Sequence, residues 1–235
     1  MPVPALRPLY QALLFDVDGV LLDTAGYFPQ VWARWAASRD LDPAWVVLHT
    51  HGRRTSDVLR EVAPHLHPAA EHAALDALAE AGMARIAASA QAGTLLRGLA
   101  DIPWAIVTSG SRSFVGRCFA RTGLPLPAVQ VYAEDVRRGK PSPEGYLSAA
   151  RRLGVPPADC VVVEDAPQGV AAGKAAGCAV VAVAGTHDAA ALRAADVCRP
   201  SLAHAADLLR ALVGLEPQTA GARPVRSIEV ERHER

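Results

Sequence analysis

The chain has 235 residues, 51% hydrophobic and 20% charged, with 24 basic side chains balanced by 24 acidic ones. That length accommodates one α/β core with a smaller insert, and the composition is that of a folded chain. The balanced charge offers no electrostatic pull toward nucleic acid, and no run approaches the ~18 apolar residues of a membrane span.

The N-terminus lacks the ordered regions of a signal peptide, so none is expected. Cys118, Cys160, Cys178 and Cys198 form no CxxC pair, which argues against a structural zinc site or a disulfide framework. A reducing, cytoplasmic setting is the corresponding expectation.

In chain order, residues 12–17 form the first strand signal, a brief buried run. Residues 24–92 contain no convincing strand. Helical spacing there predicts helices over 27–39, 55–63 and 68–89, with Trp32, Trp35 and Trp45 assigned to the interior of a small bundle. From residue 93, Val-rich runs at 104–108, 128–132, 160–164 and 179–184 alternate with helical stretches at about 112–122, 143–153, 169–176 and 187–194. Alternation of this kind indicates a parallel sheet covered on both faces. The expected organisation is an α/β core over 1–23 and 93–215, an all-helical insert over 24–92, and a mobile tail over 216–235.

The first strand runs into Phe15-Asp16-Val17-Asp18-Gly19. Side chains two apart on a strand share a face, so Asp16 and Asp18 project together. Two carboxylates there are costly unless compensated, and a divalent cation is the simplest compensation. Taken alone, the pair could also form a turn or a helix cap. Three further elements follow strands in order: Thr108 in Ala-Ile-Val-Thr-Ser-Gly, Lys140 in Gly-Lys-Pro-Ser-Pro, and Glu164-Asp165 in Val-Val-Val-Glu-Asp-Ala. Ligands of parallel α/β sheets collect at the carboxyl ends of strands, so all four can meet in one crevice. Ser142 and Pro143 suit an N-cap and first helical residue after Lys140, and Pro167 marks another helix start.

These four motifs, in this order, resemble the haloacid dehalogenase (HAD) superfamily over nearly the whole core. The resemblance implies a HAD-like, Rossmann-like core whose inserted helical block is a cap. It implies a Mg2+-dependent phosphatase acting through a phospho-aspartate. Asp16 would be the nucleophile and Asp18 the general acid and base. Thr108, the main-chain N–H groups of Ser109 and Gly110, and Lys140 would bind phosphate. Mg2+ would sit on the Asp16 carboxylate, the Asp18 main-chain carbonyl and Asp165, with Glu164 in support.

His51-Gly52-Arg53-Arg54-Thr55, residues 104–111 and residues 164–177 look like sugar and polyol phosphate phosphatases of the glycerol-phosphate and deoxysugar-phosphate types. Arg54 and His51 are then the expected cap contacts to substrate, against a solvated or helix-capping role for Arg53 and Arg54. A β-phosphoglucomutase-type phosphoryl transfer is the rival. Its pattern carries a His shortly after Asp-Thr, where Asp23-Thr24-Ala25-Gly26-Tyr27-Phe28 has Phe28. A dehalogenase would need neither Asp18 nor the acidic pair. His49, His65, His67 and His72 are read as ordinary exposed histidines. The expected partner is a small phosphate ester, without nucleic acid or membrane, bound by a monomer or homodimer.

Overall fold

The computed structural model describes residues 9–216. The expected tail, apart from Glu216, lies outside the described residues. Six parallel strands build the main sheet: β1 (Ala12–Phe15), β4 (Trp104–Val107), β5 (Val129–Val131), β6 (Cys160–Glu164), β7 (Ala179–Val183) and β8 (Val197–Arg199). Their order is β5-β4-β1-β6-β7-β8, which puts β1 at the centre, paired with β4 and β6. Alternation along the strands sorts side chains onto two buried faces. Leu13, Phe15, Ile106, Val161 and Val163 enter one hydrophobic cluster, whereas Ala12, Leu14, Ala105, Val107 and Val162 enter the other. Burial on both sides explains why these strands read as continuous apolar runs. The architecture is the Rossmann-like α/β core expected.

Four helices, α1 (Phe28–Ala37), α2 (Pro43–Leu48), α3 (Thr55–Val62) and α4 (Pro68–Gly82), lie between β2 (Leu22–Asp23) and β3 (Ala87–Ala88). Trp35 is fully buried among them, and its indole N–H donates to Glu71 Oε2 at 2.8 Å. Buried indoles need such a partner. Around the core run α5 (Ala92–Arg97), α6 (Arg112–Thr122), α7 (Glu144–Leu153), α8 (Pro167–Ala175) and α9 (Leu202–Leu212). No helix among the described residues is long and apolar enough to cross a membrane.

Several expectations need correction. The helix expected over 68–89 stops at Gly82, and Ala87–Ala88 instead pairs antiparallel with Leu22–Asp23. An Ala-rich run cannot reveal that pairing, because it is a contact between segments far apart in sequence. No helix forms over 187–194. Asp188 Oδ1 there accepts the Ala191 N–H at 2.8 Å, a local bond that competes with helix formation. The helix after Lys140 starts at Glu144 with Pro143 as N-cap. Ser142 lies one residue earlier, its hydroxyl accepting the Glu144 N–H at 3.3 Å. Trp45 is not interior: it is 42% exposed and stacks on His49.

Candidate active site

The carboxyl ends of β1, β4 and β6, and the segment joining β5 to α7, converge on one cluster. Asp16 directly follows β1, and its N–H still donates to Val163 O of β6 at 2.9 Å. Lys140 reaches in from the β5–α7 connection. Its Nζ donates to Asp16 Oδ1 at 2.5 Å, Glu164 Oε1 at 2.6 Å and Val107 O at 3.2 Å. Glu164, fully buried, also accepts Tyr146 O–H at 2.8 Å and the N–H groups of Asp165 and Ala166. A Cβ on Gly169 would fall 1.6 Å from Glu164 Oε1, so the carboxylate lies where α8 tolerates only glycine. The Thr186 hydroxyl donates to the Asp165 carboxylate and, at 3.0 Å, to its main-chain oxygen.

Gly19 is required for two reasons. Its φ of +73° is left-handed, and a Cβ there would lie 1.9 Å from Asp165 Oδ2. A turn of this kind lets the first strand's tip and the acidic pair approach closely. Asp18 faces the next loop. A Cβ on Gly110 would stand 3.7 Å from Asp18 Oδ2 and 3.3 Å from Thr108 Oγ1. The Gly110 N–H is directed at Thr108 Oγ1, at 3.0 Å, which leaves the threonine's own proton to donate elsewhere. Ser109 Oγ donates to Gly52 O at 2.8 Å, tying this loop to the helical block.

Asp16, Glu164 and Asp165 offer oxygens that all lie within 4.8 Å of one another, and a single ammonium faces them. Burial pushes the Asp16 carboxyl up to about 8, against the pull of Lys140, with Glu164 and Asp18 adding to the rise. Burial, then Glu164 and Asp16, hold the Asp165 carboxyl well above its ordinary range. Asp18 rises to about 6, again through burial. Burial alone would lower Lys140, but Asp16 and Glu164 outweigh it and keep the amine protonated. Three carboxylates around one cation, all hard oxygen donors, fit a divalent metal ion of the magnesium or calcium kind.

Two expected cap residues lie elsewhere than in this cluster. The buried Arg54 guanidinium forks onto Asp57, with Nε and Nη2 at 2.7 and 3.0 Å. Its Nη1 donates to Val136 O at 2.8 Å and its Nη2 to Arg137 O at 3.0 Å. Those bonds clamp α3 to the β5–α7 connection. His51 instead sits edge-to-face on His187, ring centroids 4.7 Å apart. Burial and the His187 ring hold its imidazole below the usual value. Phe28 packs against Phe114 and Tyr27.

Tyr146, Thr186 and His187 were not singled out by sequence. Tyr146 carries only the helical spacing of a buried face, shared with Ala149 and Ala150. Thr186 and His187 follow β7 at its carboxyl end, and that position was their available signal.

A family model of haloacid dehalogenase-like hydrolases matches residues 10–177. Hexitol phosphatase A of Escherichia coli K12 is 41% identical over 197 residues, covering 82% of this chain and 91% of that protein. Glycerol-1-phosphate phosphohydrolase 2 of Saccharomyces cerevisiae is 32% identical, covering 75% of this chain and 76% of that protein. Among solved structures, a HAD family hydrolase from Deinococcus radiodurans R1 with bound phosphate and sodium superposes with a TM-score of 0.69 at 32% identity. It covers 90% of this chain and 100% of that one. The matched span takes in Asp16, Thr108, Lys140 and the Glu164-Asp165 pair that the fold draws together, and the chain belongs to the haloacid dehalogenase-like hydrolases.

Proposed function

We propose that the chain hydrolyses small sugar or polyol phosphate monoesters in the presence of Mg2+, through a phospho-aspartate on Asp16. One observation carries this reading: Lys140 Nζ bridges Asp16 and Glu164 inside a cluster of three buried carboxylates. A phosphate dianion and a carboxylate repel by about 4 kcal/mol per charge pair at ~4 Å and an effective dielectric of about 20. Lys140 offsets part of that repulsion where the carboxylate meets phosphorus. Mg2+, held by Asp16, the Asp18 main-chain carbonyl and Asp165 with Glu164 behind them, supplies further neutralisation of phosphoryl charge when bound.

Asp16 attacks phosphorus in line, forming an acyl phosphate as the bond to the leaving oxygen breaks. Asp18 gives that oxygen a proton. It then takes one from a water that attacks the acyl phosphate, restoring Asp16 and releasing phosphate. The rise of Asp18 to about 6 suits a group that must carry a proton in one half-reaction and lose it in the other. Thr108 and the N–H groups of Ser109 and Gly110 bind phosphoryl oxygens at the start of the loop into α6.

Residues 24–92 act as a cap over the core formed by 1–23 and 93–215, with His51 on its substrate side. Arg54 lines the same joint and sets how the cap meets the core. Phe28 offers no proton-transfer group, which favours hydrolysis over a mutase cycle. The relatives named for hexitol and glycerol-1-phosphate support a hydroxylated leaving group. Four unpaired cysteines are compatible with a reducing, cytoplasmic setting.

Phosphate release from a panel of polyol, hexose and glycolate phosphates with Mg2+ tests the proposal. Turnover should vanish in Asp16→Asn. Isomerisation of a hexose 1-phosphate without phosphate release, or an active Asp16→Asn, would overturn it.

A further inference from the structure

We propose that His51 and His187 form a specificity-determining pair that hydrogen-bonds hydroxyl groups of the leaving alcohol; the role rests on the phosphatase reading above. His51 comes from the loop between α2 and α3, His187 from the loop after β7. Their rings meet at 4.7 Å, nearly perpendicular, across the seam between the helical block and the core.

The protons on His187 follow from its neighbours. Its Nδ1 lies 3.1 Å from Asp165 O and 3.0 Å from Thr186 Oγ1. A main-chain oxygen only accepts, and the single Thr186 hydroxyl proton is directed to Asp165. Nδ1 therefore carries the hydrogen, and in the neutral ring Nε2 is left as an acceptor. Neither that Nε2 nor either nitrogen of His51 has a hydrogen-bond partner among the described residues.

Both rings are held in place. Gly52, beside His51, has a φ of +69°, and a Cβ there would sit 2.9 Å from Ala166 Cβ. Its carbonyl accepts Ser109 Oγ. His51 is thereby pinned over the turn that follows Asp165, and His187 is pinned by the Asp165 carbonyl itself. The pair borders the carboxylate cluster and presents one acceptor from the core beside a donor and an acceptor from the insert. That set matches O–H groups, which both give and take hydrogen bonds. A second phosphate or a carboxylate, which only accept, would meet a single N–H and leave both acceptor nitrogens facing its negative charge. The chemical class selected is the phosphate monoester of an uncharged, polyhydroxylated alcohol.

The test compares kcat/KM for glycerol 1-phosphate and for phenyl phosphate, which has the ester but no leaving-group hydroxyl beyond it. The full chain is used with Mg2+. His51→Phe keeps the ring and removes its polar edge. His187→Asn keeps an N–H donor toward the Asp165 carbonyl and removes Nε2. The ratio of the two kcat/KM values should fall at least about tenfold in each variant, mainly through KM for the polyol ester. If both esters lose activity in parallel, with the ratio held within about twofold, the pair merely supports Asp165 and the proposal fails. Absence of turnover on either ester in the unmutated chain would remove the phosphatase reading, and the pair's role with it.

Discussion

Lys140 and Arg54 are each 8% exposed, each ion-paired with an aspartate, and both stand where the helical block meets the core. Their aspartates nevertheless behave oppositely. Burial works against ionisation of Asp57, yet Arg54 and Arg60 outweigh it and hold its carboxyl below the ordinary range. Asp16, beside Lys140, is pushed up to about 8. The difference lies first in burial, deeper at Asp16 than at the half-buried Asp57, and then in the count of partners. Arg54 meets one carboxylate and neutral carbonyls that consume its remaining donors, so charge and hydrogen bonds close. Lys140 must serve Asp16 and Glu164, with Asp165 also in reach, so negative charge is left over. A joint is built from balanced charge, and a reactive centre from an imbalance that a metal ion and a phosphoryl group can correct.

The largest effect that tests this contrast is loss of the proposed nucleophile. Asp16→Asn should lower kcat by about 10^4-fold or more in a phosphate-release assay. A residual rate within about tenfold of the unmutated chain would mean that Asp16 is no nucleophile. Next, Lys140→Met should lower kcat by about 10^2- to 10^3-fold. It should also reduce Tm without metal, because two buried carboxylates lose their cation. Added Mg2+ should raise Tm more in this variant than in the unmutated chain; an equal rise would argue that Lys140 and the metal do not share the same excess charge.

Arg54→Met belongs to the other side of the comparison. Removing the guanidinium leaves Asp57 with Arg60 alone and strips the carbonyls of Ala133, Val136 and Arg137 of a donor, for a loss of about 1–3 kcal/mol in denaturant unfolding. Its Mg2+ dependence should match that of the unmutated chain. A shifted metal requirement would show that the joint and the centre are one electrostatic unit.

A further effect is a pH dependence of the metal-free chain. Asp16 is raised from 3.8 to about 8 on folding, so between those values the folded state binds the extra proton. Stability must then fall as pH rises from about 4 toward 8. The Tm of chelator-treated protein should decline over that range, and Asp16→Asn should flatten the decline. A Tm that climbs with pH would show that the carboxylates are fully compensated without metal.

The parallel sheet was legible because β1, β6 and β7 are buried on both faces, and only Val-, Ala- and Leu-rich runs survive there. Asp16, Asp18, Thr108, Lys140, Glu164 and Asp165 were legible because each ends or follows such a strand in a family order. Arg54 stood out in the sequence, but its role as a clamp did not. The guanidinium's partners include carbonyls of residues 133–137, about eighty positions away, and main-chain acceptors leave no mark in sequence. Tyr146 was hidden for a related reason. On the buried face of α7 it reads as packing, and only the fold brings its hydroxyl to Glu164. His187 was obscured by an apparent helix that Asp188 interrupts. The ribbon of β2 and β3 is two residues deep on each side, too short for any periodicity.

The measurement closest to the central claim is a Mg2+ titration of Tm for the unmutated chain, Asp165→Asn and Arg54→Met. A site made by surplus carboxylates requires a rise that continues with the logarithm of Mg2+ concentration in the first, its loss in the second and its persistence in the third. At 100 times the dissociation constant the rise corresponds to about 2.7 kcal/mol. No rise in the unmutated chain, or an undiminished one in Asp165→Asn, would contradict the account.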